Sequence, residues 1–170
     1  NKFRFRKGDT ILTILFFCSI GLTIWSIFIY RLTIIETKYL VATVTFGILI
    51  ALLVLSHWVK SSYPTIWSFM IKASIGGGFF YFSLLFLNKQ FADTEILTEE
   101  FQIIKKGTLA GGKSSSCFQP YVIIEFSGIE KQFVFNCDYT EISKQSTKVR
   151  LTYSKGLFGF NVVKSKQLTN

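Results

Sequence analysis

The chain has 170 residues, a mean hydropathy of +0.40 and a formal net charge of +9 at pH 7. Its hydrophobic share of 49% is too high for an ordinary water-soluble domain of this length, so composition favours a membrane protein with one very small additional domain. Residues 1–88 carry eight basic and two acidic residues, whereas residues 89–170 carry eleven basic and eight acidic ones. The positive charge is concentrated where membrane proteins carry topology signals, which argues against a nucleic-acid partner.

Three apolar segments occupy the first half of the chain, at residues 11–30, 40–59 and 66–87. Each has about 20 residues, the length at which an α-helix crosses ~30 Å of hydrocarbon. The sequence therefore predicts a three-helix transmembrane domain over residues 1–90, in contact with membrane lipids.

The flanking charges predict an orientation. Four basic residues precede the first span, which is longer than the roughly 7–15 apolar residues of a cleaved signal peptide. We therefore expect a retained signal-anchor helix. The positive-inside rule places the amino terminus and the second loop in the cytoplasm. Three crossings then place residues 91–170 outside the cytoplasm.

One lysine, Lys72, lies inside the third predicted span. A charge at membrane depth is costly and marks either a functional site or a side chain that reaches the nearer membrane surface. We interpret Lys72 as reaching the surface; the alternative is that it pairs with an anionic ligand or with a carboxylate of a partner. The acids of this half, Asp9 and Glu36, flank the first predicted span rather than lying within it.

Small residues in the second and third spans predict close helix packing. Gly47 and Ala51 are four residues apart, as are Ser74 and Gly78, and Gly76-Gly77-Gly78 forms a glycine run. Such residues let helix backbones approach closely, although a glycine run can also kink a helix or line a cavity.

Catalytic and metal-binding patterns are not apparent in the sequence. His57 is the single histidine and lies beside Trp58 at a predicted membrane interface, without cysteine or carboxylate neighbours. One histidine does not make a metal site. We therefore expect no catalytic residue, no metal and no cofactor, and we interpret the chain as a non-enzyme.

After residue 91 the apolar pattern changes to short β-compatible segments. We predict about five strands, at residues 101–106, 121–126, 131–137, 148–153 and 157–163. Turn signals at Ser127-Gly128 and Lys155-Gly156 predict two hairpins. Residues 138–145 are either a loop or one helical turn. The prediction is a small all-β domain over residues 91–170, either a barrel or a two-layer sandwich.

The first hairpin also predicts a disulfide. With a two-residue turn, Phe126 faces Ile129, and Cys137 then lies opposite Phe118, beside Cys117. A one-residue bulge or a three-residue loop would bring Cys117 and Cys137 face to face, at a separation that a disulfide can bridge. An extracytoplasmic location favours this bond. The alternative is two free cysteines.

The aromatic segment that contains Leu157, Phe158 and Phe160 has two interpretations. Its pattern favours a strand whose side chains pack into the core of the β-domain. Alternatively, these residues form a surface that contacts lipid or a protein partner.

Part of the β-domain resembles known proteins, over fewer than half the residues of the chain. The resemblance is carried by residues 120–128 (Pro-Tyr-Val-Ile-Ile-Glu-Phe-Ser-Gly), residues 148–153 and Gly156. This part of the chain resembles small β-domains of uncharacterised bacterial membrane proteins with two or three transmembrane helices. The resemblance implies a membrane-tethered β-module, which we expect in the bacterial inner membrane, and it assigns no functional residues.

Three functions fit these features. The first is a non-enzymatic membrane protein whose β-domain binds a protein partner, as an accessory subunit of a membrane assembly. The second is an immunity protein that neutralises a toxin acting at the cell envelope. The third is a transport or channel subunit that forms a homo-oligomer through the glycine-bearing third helix.

Overall fold

The structure is a computed structural model that describes residues 7–60, 63–109 and 118–169. The chain divides into two compact units: residues 1–30 with 36–89, and residues 31–35 with 90–170. The first unit is helical, and the second is a β-domain that includes the short connection between the first two helices.

Three long helices form the first unit: α1 (Lys7–Arg31), α2 (Thr37–Trp58) and α3 (Thr65–Gln90). Each is long and apolar enough to cross a membrane. Large apolar side chains such as Phe17 and Leu53 remain exposed on these helices, as expected of surfaces that face lipid. The predicted helical membrane part is confirmed.

Helix α1 begins four residues earlier than the predicted span and includes Asp9, which the sequence analysis placed outside it. Asp9 lies in the first turn of α1 and is only 1% exposed. A carboxylate is favourable there because the first backbone N–H groups of a helix give its start a partial positive charge. The helical unit therefore contains a buried acid, which the predicted start of the first span at residue 11 had excluded.

Six strands form the β-domain in a single antiparallel sheet with the order β1-β6-β5-β2-β3-β4. They are β1 (Thr33–Ile34), β2 (Leu97–Leu109), β3 (Gln119–Phe126), β4 (Ile129–Val134), β5 (Lys148–Lys155) and β6 (Asn161–Thr169). The predicted small all-β domain is confirmed, with one more strand than expected. The long strand β2 pairs first with β5 and then with β3, and the β2–β3 pairing contains a register shift between Ile103 and Lys105.

The β3–β4 hairpin has the predicted register. Phe126 pairs with Ile129 across Ser127 and Gly128, and the pairing continues without a shift to Tyr121 and Val134. Both turn residues have positive φ, 49° at Ser127 and 84° at Gly128. This is the backbone of a type I′ turn, whose twist matches that of the two strands.

The β5–β6 hairpin differs from the prediction. Its strands are joined by residues 156–160, which close through hydrogen bonds from Gly156 N to Phe160 O (2.9 Å) and from Gly159 N to Gly156 O (2.8 Å). The predicted turn at Lys155-Gly156 and the predicted strand start at residue 157 were wrong. Gly159 has a φ of 82°, which glycine tolerates and which lengthens the connection.

The additional strand, β1, lies in the connection between α1 and α2. Thr33 pairs with Val162 and Ile34 with Asn161, and Val163 N donates a 2.7 Å hydrogen bond to Leu32 O. Two residues are too few to show a strand periodicity, so the sequence contained no signal for β1.

The sheet curves until non-adjacent strands meet. Lys166 of β6 donates a hydrogen bond from its Nζ to Val134 O of β4, although three strands separate β6 from β4 in the sheet. The same ammonium lies 4.9 Å from the ring centroid of Phe135 and 5.9 Å from that of Phe133. The result is a near-barrel with an apolar core. Buried core residues include Ile34, Val122, Ile124, Phe133, Val149, Leu151 and Val163.

A short helical segment follows β4. It consists of a 3-10 turn at Cys137–Tyr139 and helix α4 at Thr140–Gln145. The Oγ1 of Thr140 donates to Cys137 O at 2.6 Å and stabilises the junction. The helical alternative for residues 138–145 is therefore the correct one.

Candidate functional site

Helix α3 packs against α2 through the small residues that the sequence singled out. A Cβ atom added to Gly47 would lie 2.6 Å from Phe80 Cβ and 2.7 Å from Gly76 O, and one added to Gly76 would overlap Gly47 O and Ala51 Cβ. Gly47, Ala51 and Gly76 are all buried. The two backbones are therefore as close as glycine permits, and any larger side chain at Gly47 or Gly76 separates them.

Helix α3 also packs against α1 through small residues. The Oγ of Ser19 donates a 2.8 Å hydrogen bond to the backbone oxygen of Ser74. A Cβ added to Gly78 would lie 2.7 Å from Thr23 Oγ1 and would overlap the Oγ of Ser19. Because α3 uses Gly76 toward α2 and Gly78 toward α1, both glycines serve packing within one chain.

Gly77 has a more open surrounding. A Cβ at this position would meet Val44 and Ile48 of α2 at 3.4–3.8 Å, which is ordinary van der Waals contact. It lines a groove of about 400 Å³ together with Ala73 and Ser74. This groove is predominantly apolar, and its polar lining consists of the hydroxyl-bearing residues Thr23, Ser74 and Tyr81.

The connection between β5 and β6, residues 156–160, forms what we call the β5–β6 tip. Leu157 is 54% exposed and Phe158 is 47% exposed, whereas Phe160 is partly buried. The favoured prediction, in which this segment is a strand that packs into the core, is therefore wrong for Leu157 and Phe158. They lie on the surface because the five-residue connection carries them beyond the last paired residues, Lys155 and Asn161.

Further exposed apolar residues lie at the same end of the sheet. Asp93 N donates a 2.8 Å hydrogen bond to Lys155 O, at the base of the β5–β6 tip. Phe91 and Ile96, on either side of Asp93 in the chain, are both exposed. Exposed apolar side chains are therefore present both in the β5–β6 tip and in the segment that contacts its base.

One face of β2 and β5 carries an ion-pair ladder. Arg150 donates to Glu100 Oε1 at 2.7 Å from its Nη2, and Lys148 lies 3.8 Å from Glu100 Oε2. The hydrogen bond from Arg150 and the positive charges of Arg150 and Lys148 lower the pKa of Glu100. Glu100 is solvent-accessible and paired, which is a structural arrangement rather than a catalytic one.

Two groups on the inner side of the sheet have shifted pKa values. Burial lowers the pKa of Lys131 to about 8. Burial and a hydrogen bond with Glu99 raise the pKa of Tyr153 to about 12. Neither residue belongs to a group of acids, bases and nucleophiles that would assemble a reaction centre among the described residues, and no cluster of three or more metal-ligating side chains occurs in those ranges.

The cysteines lie in different surroundings. Cys137 begins the 3-10 turn after β4, and Cys18 is a free, exposed thiol on α1. Cys117 lies outside the described residues, so the predicted Cys117–Cys137 disulfide stays a prediction.

Lys72 is 8% exposed and lies on the face of α3 that packs against α2. Its Nζ donates a 3.2 Å hydrogen bond to the Oγ of Ser56. Ser56 lies near the end of α2, so the Lys72 side chain extends toward that end of the helical unit. The side chain is nonetheless buried within protein rather than exposed at a surface.

Two residues with structural importance escaped the sequence analysis. Lys131 shares its strand face with Phe133 and Phe135, so its inward direction was readable from the alternation of that strand. Lys166 offers no such signal, since its contacts with β4 arise from the curvature of the whole sheet.

No protein-family model, curated protein or solved structure matches this chain.

Proposed function

We propose that this chain is a non-enzymatic membrane protein that presents its β-domain to a protein partner, as an accessory subunit of a membrane assembly. The single observation that carries the proposal is the β5–β6 tip, where Leu157 and Phe158 are exposed at the end of a hairpin. Exposed, contiguous apolar side chains on a small domain are typical of interaction surfaces.

The location forms part of the same proposal. Basic residues before α1 support a cytoplasmic amino terminus in the bacterial inner membrane, with the β-domain outside the cytoplasm. An outside location would also favour a Cys117–Cys137 disulfide close to the helical segment after β4.

The homo-oligomeric transport subunit is the second candidate, and the groove beside Gly77 favours it. Gly76 and Gly78 contact α2 and α1 of the same chain, whereas Gly77 meets α2 at ordinary van der Waals distance and lines an apolar groove in which a side chain of another copy would fit. The immunity protein is the remaining alternative, and it shares the partner-binding tip with the first proposal.

Co-purification from a mild detergent tests the proposal. The full chain is compared with a Leu157→Ser/Phe158→Ser variant and with a control, Lys164→Ser/Gln167→Ser, which alters two exposed positions of β6 away from the tip. We expect the wild type and the control to elute as a complex of defined stoichiometry with a second protein, and the tip variant to elute alone.

A homo-oligomer that is unaffected by the tip variant but lost on Gly77→Leu would replace the proposal by the second candidate. A wild-type chain that elutes from native-membrane extracts as a monomer, without a second protein, would contradict both candidate functions. If the partner proves to be a secreted toxin, the chain is the immunity protein rather than an accessory subunit, and the β5–β6 tip is still its binding surface.

A further inference from the structure

A cavity of about 520 Å³ lies within the helical unit, where α2 ends and α3 begins. Its polar lining consists of two lysines and four hydroxyl-bearing residues: Lys60, Lys72, Ser56, Tyr63, Thr65 and Ser68. The volume falls in the range of about 300–1,000 Å³ that small-molecule sites occupy. No carboxylate is among the described residues that line it.

Lys72 supplies the buried charge of this cavity. It lies seven residues after the start of α3, about 10 Å along the helix, and is more than nine-tenths buried. An ammonium group has three donors, and the Oγ of Ser56 accepts one of them at 3.2 Å. Within residues 7–60, 63–109 and 118–169, no carboxylate forms an ion pair with it.

A buried ammonium that is not ion-paired with a carboxylate is costly, especially at membrane depth. An anion in the cavity would offset that cost and would accept the remaining donors of Lys72. The second lysine, Lys60, is exposed and lies at the wall of the same cavity. The two ammonium groups and the hydroxyl groups of Ser56, Thr65 and Ser68 are donors that a phosphate accepts, whereas the hydroxyl of Tyr63 is hydrogen-bonded to Thr13 Oγ1 at 3.0 Å.

The start of α3 adds to this arrangement. Thr65 begins the helix and lines the cavity, and the first backbone N–H groups of a helix carry a partial positive charge. The cavity therefore combines two cationic side chains, the hydroxyl groups of three residues and a helix start, all favourable to an anion.

We propose that this cavity binds a phosphate group, supplied by the headgroup of an acidic phospholipid, with Lys72 beneath the phosphate and Lys60 beside it. The three helices have the length of membrane spans, so the end of α2 and the start of α3 lie in the layer that lipid headgroups occupy. Free inorganic phosphate has the same chemistry and is the other source that the experiment distinguishes.

Native mass spectrometry of the purified full chain tests the proposal. The chain is delipidated and then titrated with phosphatidylglycerol, with phosphatidylcholine of the same acyl chains, and with inorganic phosphate. Variants are Lys72→Gln, Lys60→Gln and the control Lys89→Gln, an exposed lysine in the last turn of the same helix. Circular dichroism verifies that each variant retains its helices.

We expect the wild type to retain phosphatidylglycerol more strongly than phosphatidylcholine, and each cavity lysine to contribute roughly fivefold to that preference. Lys72→Gln and Lys60→Gln should each reduce the preference, whereas Lys89→Gln should leave it unchanged. If millimolar inorganic phosphate displaces phosphatidylglycerol, the ligand is free phosphate rather than a lipid headgroup. The cavity is then still a phosphate site.

Equal retention of the two lipids together with no binding of phosphate would overturn the proposal. The same holds if Lys89→Gln lowers the preference as much as the cavity variants do, because the effect would then be one of net charge. If Lys72→Gln fails to fold, the exposed Lys60→Gln variant decides between these results. A Lys72 ammonium that cross-links to a carboxylate of a second protein would also overturn it.

Discussion

The Oγ of Ser19 in α1 donates a hydrogen bond of 2.8 Å to the backbone oxygen of Ser74 in α3. This bond lies beside Gly78, whose lack of a side chain allows α1 to reach the α3 backbone. On its other side, α3 meets α2 at Gly76 and Gly47. Small residues therefore determine how all three helices associate, as expected in lipid, where apolar side chains alone give little preference for helix contact over lipid contact.

Replacing Gly76 by leucine should separate α2 from α3. A Cβ at this position would lie 2.8 Å from the carbonyl carbon of Gly47, so the helices must move apart. We expect a loss of about 1–3 kcal/mol or more in the stability of the helical unit. Thermal unfolding of the full chain in detergent measures it.

The matched control is Gly21→Leu. Gly21 lies in α1, and a Cβ there meets no atom within 4 Å. Its unfolding temperature should stay close to that of the wild type. Equal losses from both variants would show that leucine disturbs the helices by some route other than the Gly76–Gly47 contact.

The β3–β4 turn predicts two opposite effects. Ser127 has a φ of 49°, a region that asparagine occupies more readily than serine, so Ser127→Asn should stabilise the β-domain by about 0.5–1 kcal/mol. Gly128 has a φ of 84°, and Gly128→Ala should destabilise the domain by about 1 kcal/mol or more. Amide hydrogen exchange of peptides from β3 and β4 measures both changes. A loss of protection in Ser127→Asn would contradict the type I′ turn.

Lys131 predicts a stability that depends on pH. Its pKa is about 8 in the folded protein and near 10.5 when exposed, so the unfolded chain binds more protons between these values. The free energy of unfolding of the β-domain should therefore rise as pH increases from about 8 toward 10. The rise is up to about 3 kcal/mol when deprotonation of Lys131 removes the whole cost of burying its charge. Above pH 10 the raised pKa of Tyr153 lowers the stability of the folded β-domain as pH increases. The effect of Lys131 is therefore measured between pH 8 and 10.

Lys131→Met should flatten most of this rise, because methionine does not titrate. Burial and the nearby charge of Arg31 also lower the pKa of Lys166, so some dependence should remain. Hydrogen exchange corrected for its intrinsic pH dependence measures the effect, and Lys164→Met at an exposed position of β6 is the control. A Lys131→Met variant that keeps the whole rise between pH 8 and 10 would contradict its assignment to Lys131.

The cysteines give a prediction about the compartment. The chain has three cysteines, of which Cys18 is an exposed free thiol. If the β-domain lies outside the cytoplasm and Cys117 bonds to Cys137, thiol labelling of the unfolded, non-reduced protein should modify one cysteine. Modification of all three would contradict the disulfide, and cytoplasmic signal from a reporter fused after Asn170 would contradict the orientation.

The parts of the fold that could be predicted from the sequence depend on local patterns. Three apolar segments identified α1, α2 and α3, and the Ser127-Gly128 turn fixed every pair between β3 and β4. The glycine positions also identified the helix contacts, since close packing in a membrane needs small side chains.

The parts that could not be predicted depend on contacts between distant segments. Strand β1 has two residues and exists only because β6 offers them an edge. The contact between Lys166 and Val134 depends on the curvature of a sheet in which their strands are not neighbours. The β5–β6 tip was misplaced because Gly159, rather than Gly156, adopts the positive φ that shapes the connection.

The most direct test of the proposed function is photo-cross-linking from the β5–β6 tip in native membranes. A photoreactive amino acid is placed at Phe158, and separately at Lys164, an exposed position on the same β-domain outside the tip. The proposal predicts one protein adduct of defined mass from position 158, its loss on Leu157→Ser, and no such adduct from position 164. Lipid adducts alone from position 158, or the same protein adduct from both positions, would contradict the tip as the partner-binding surface.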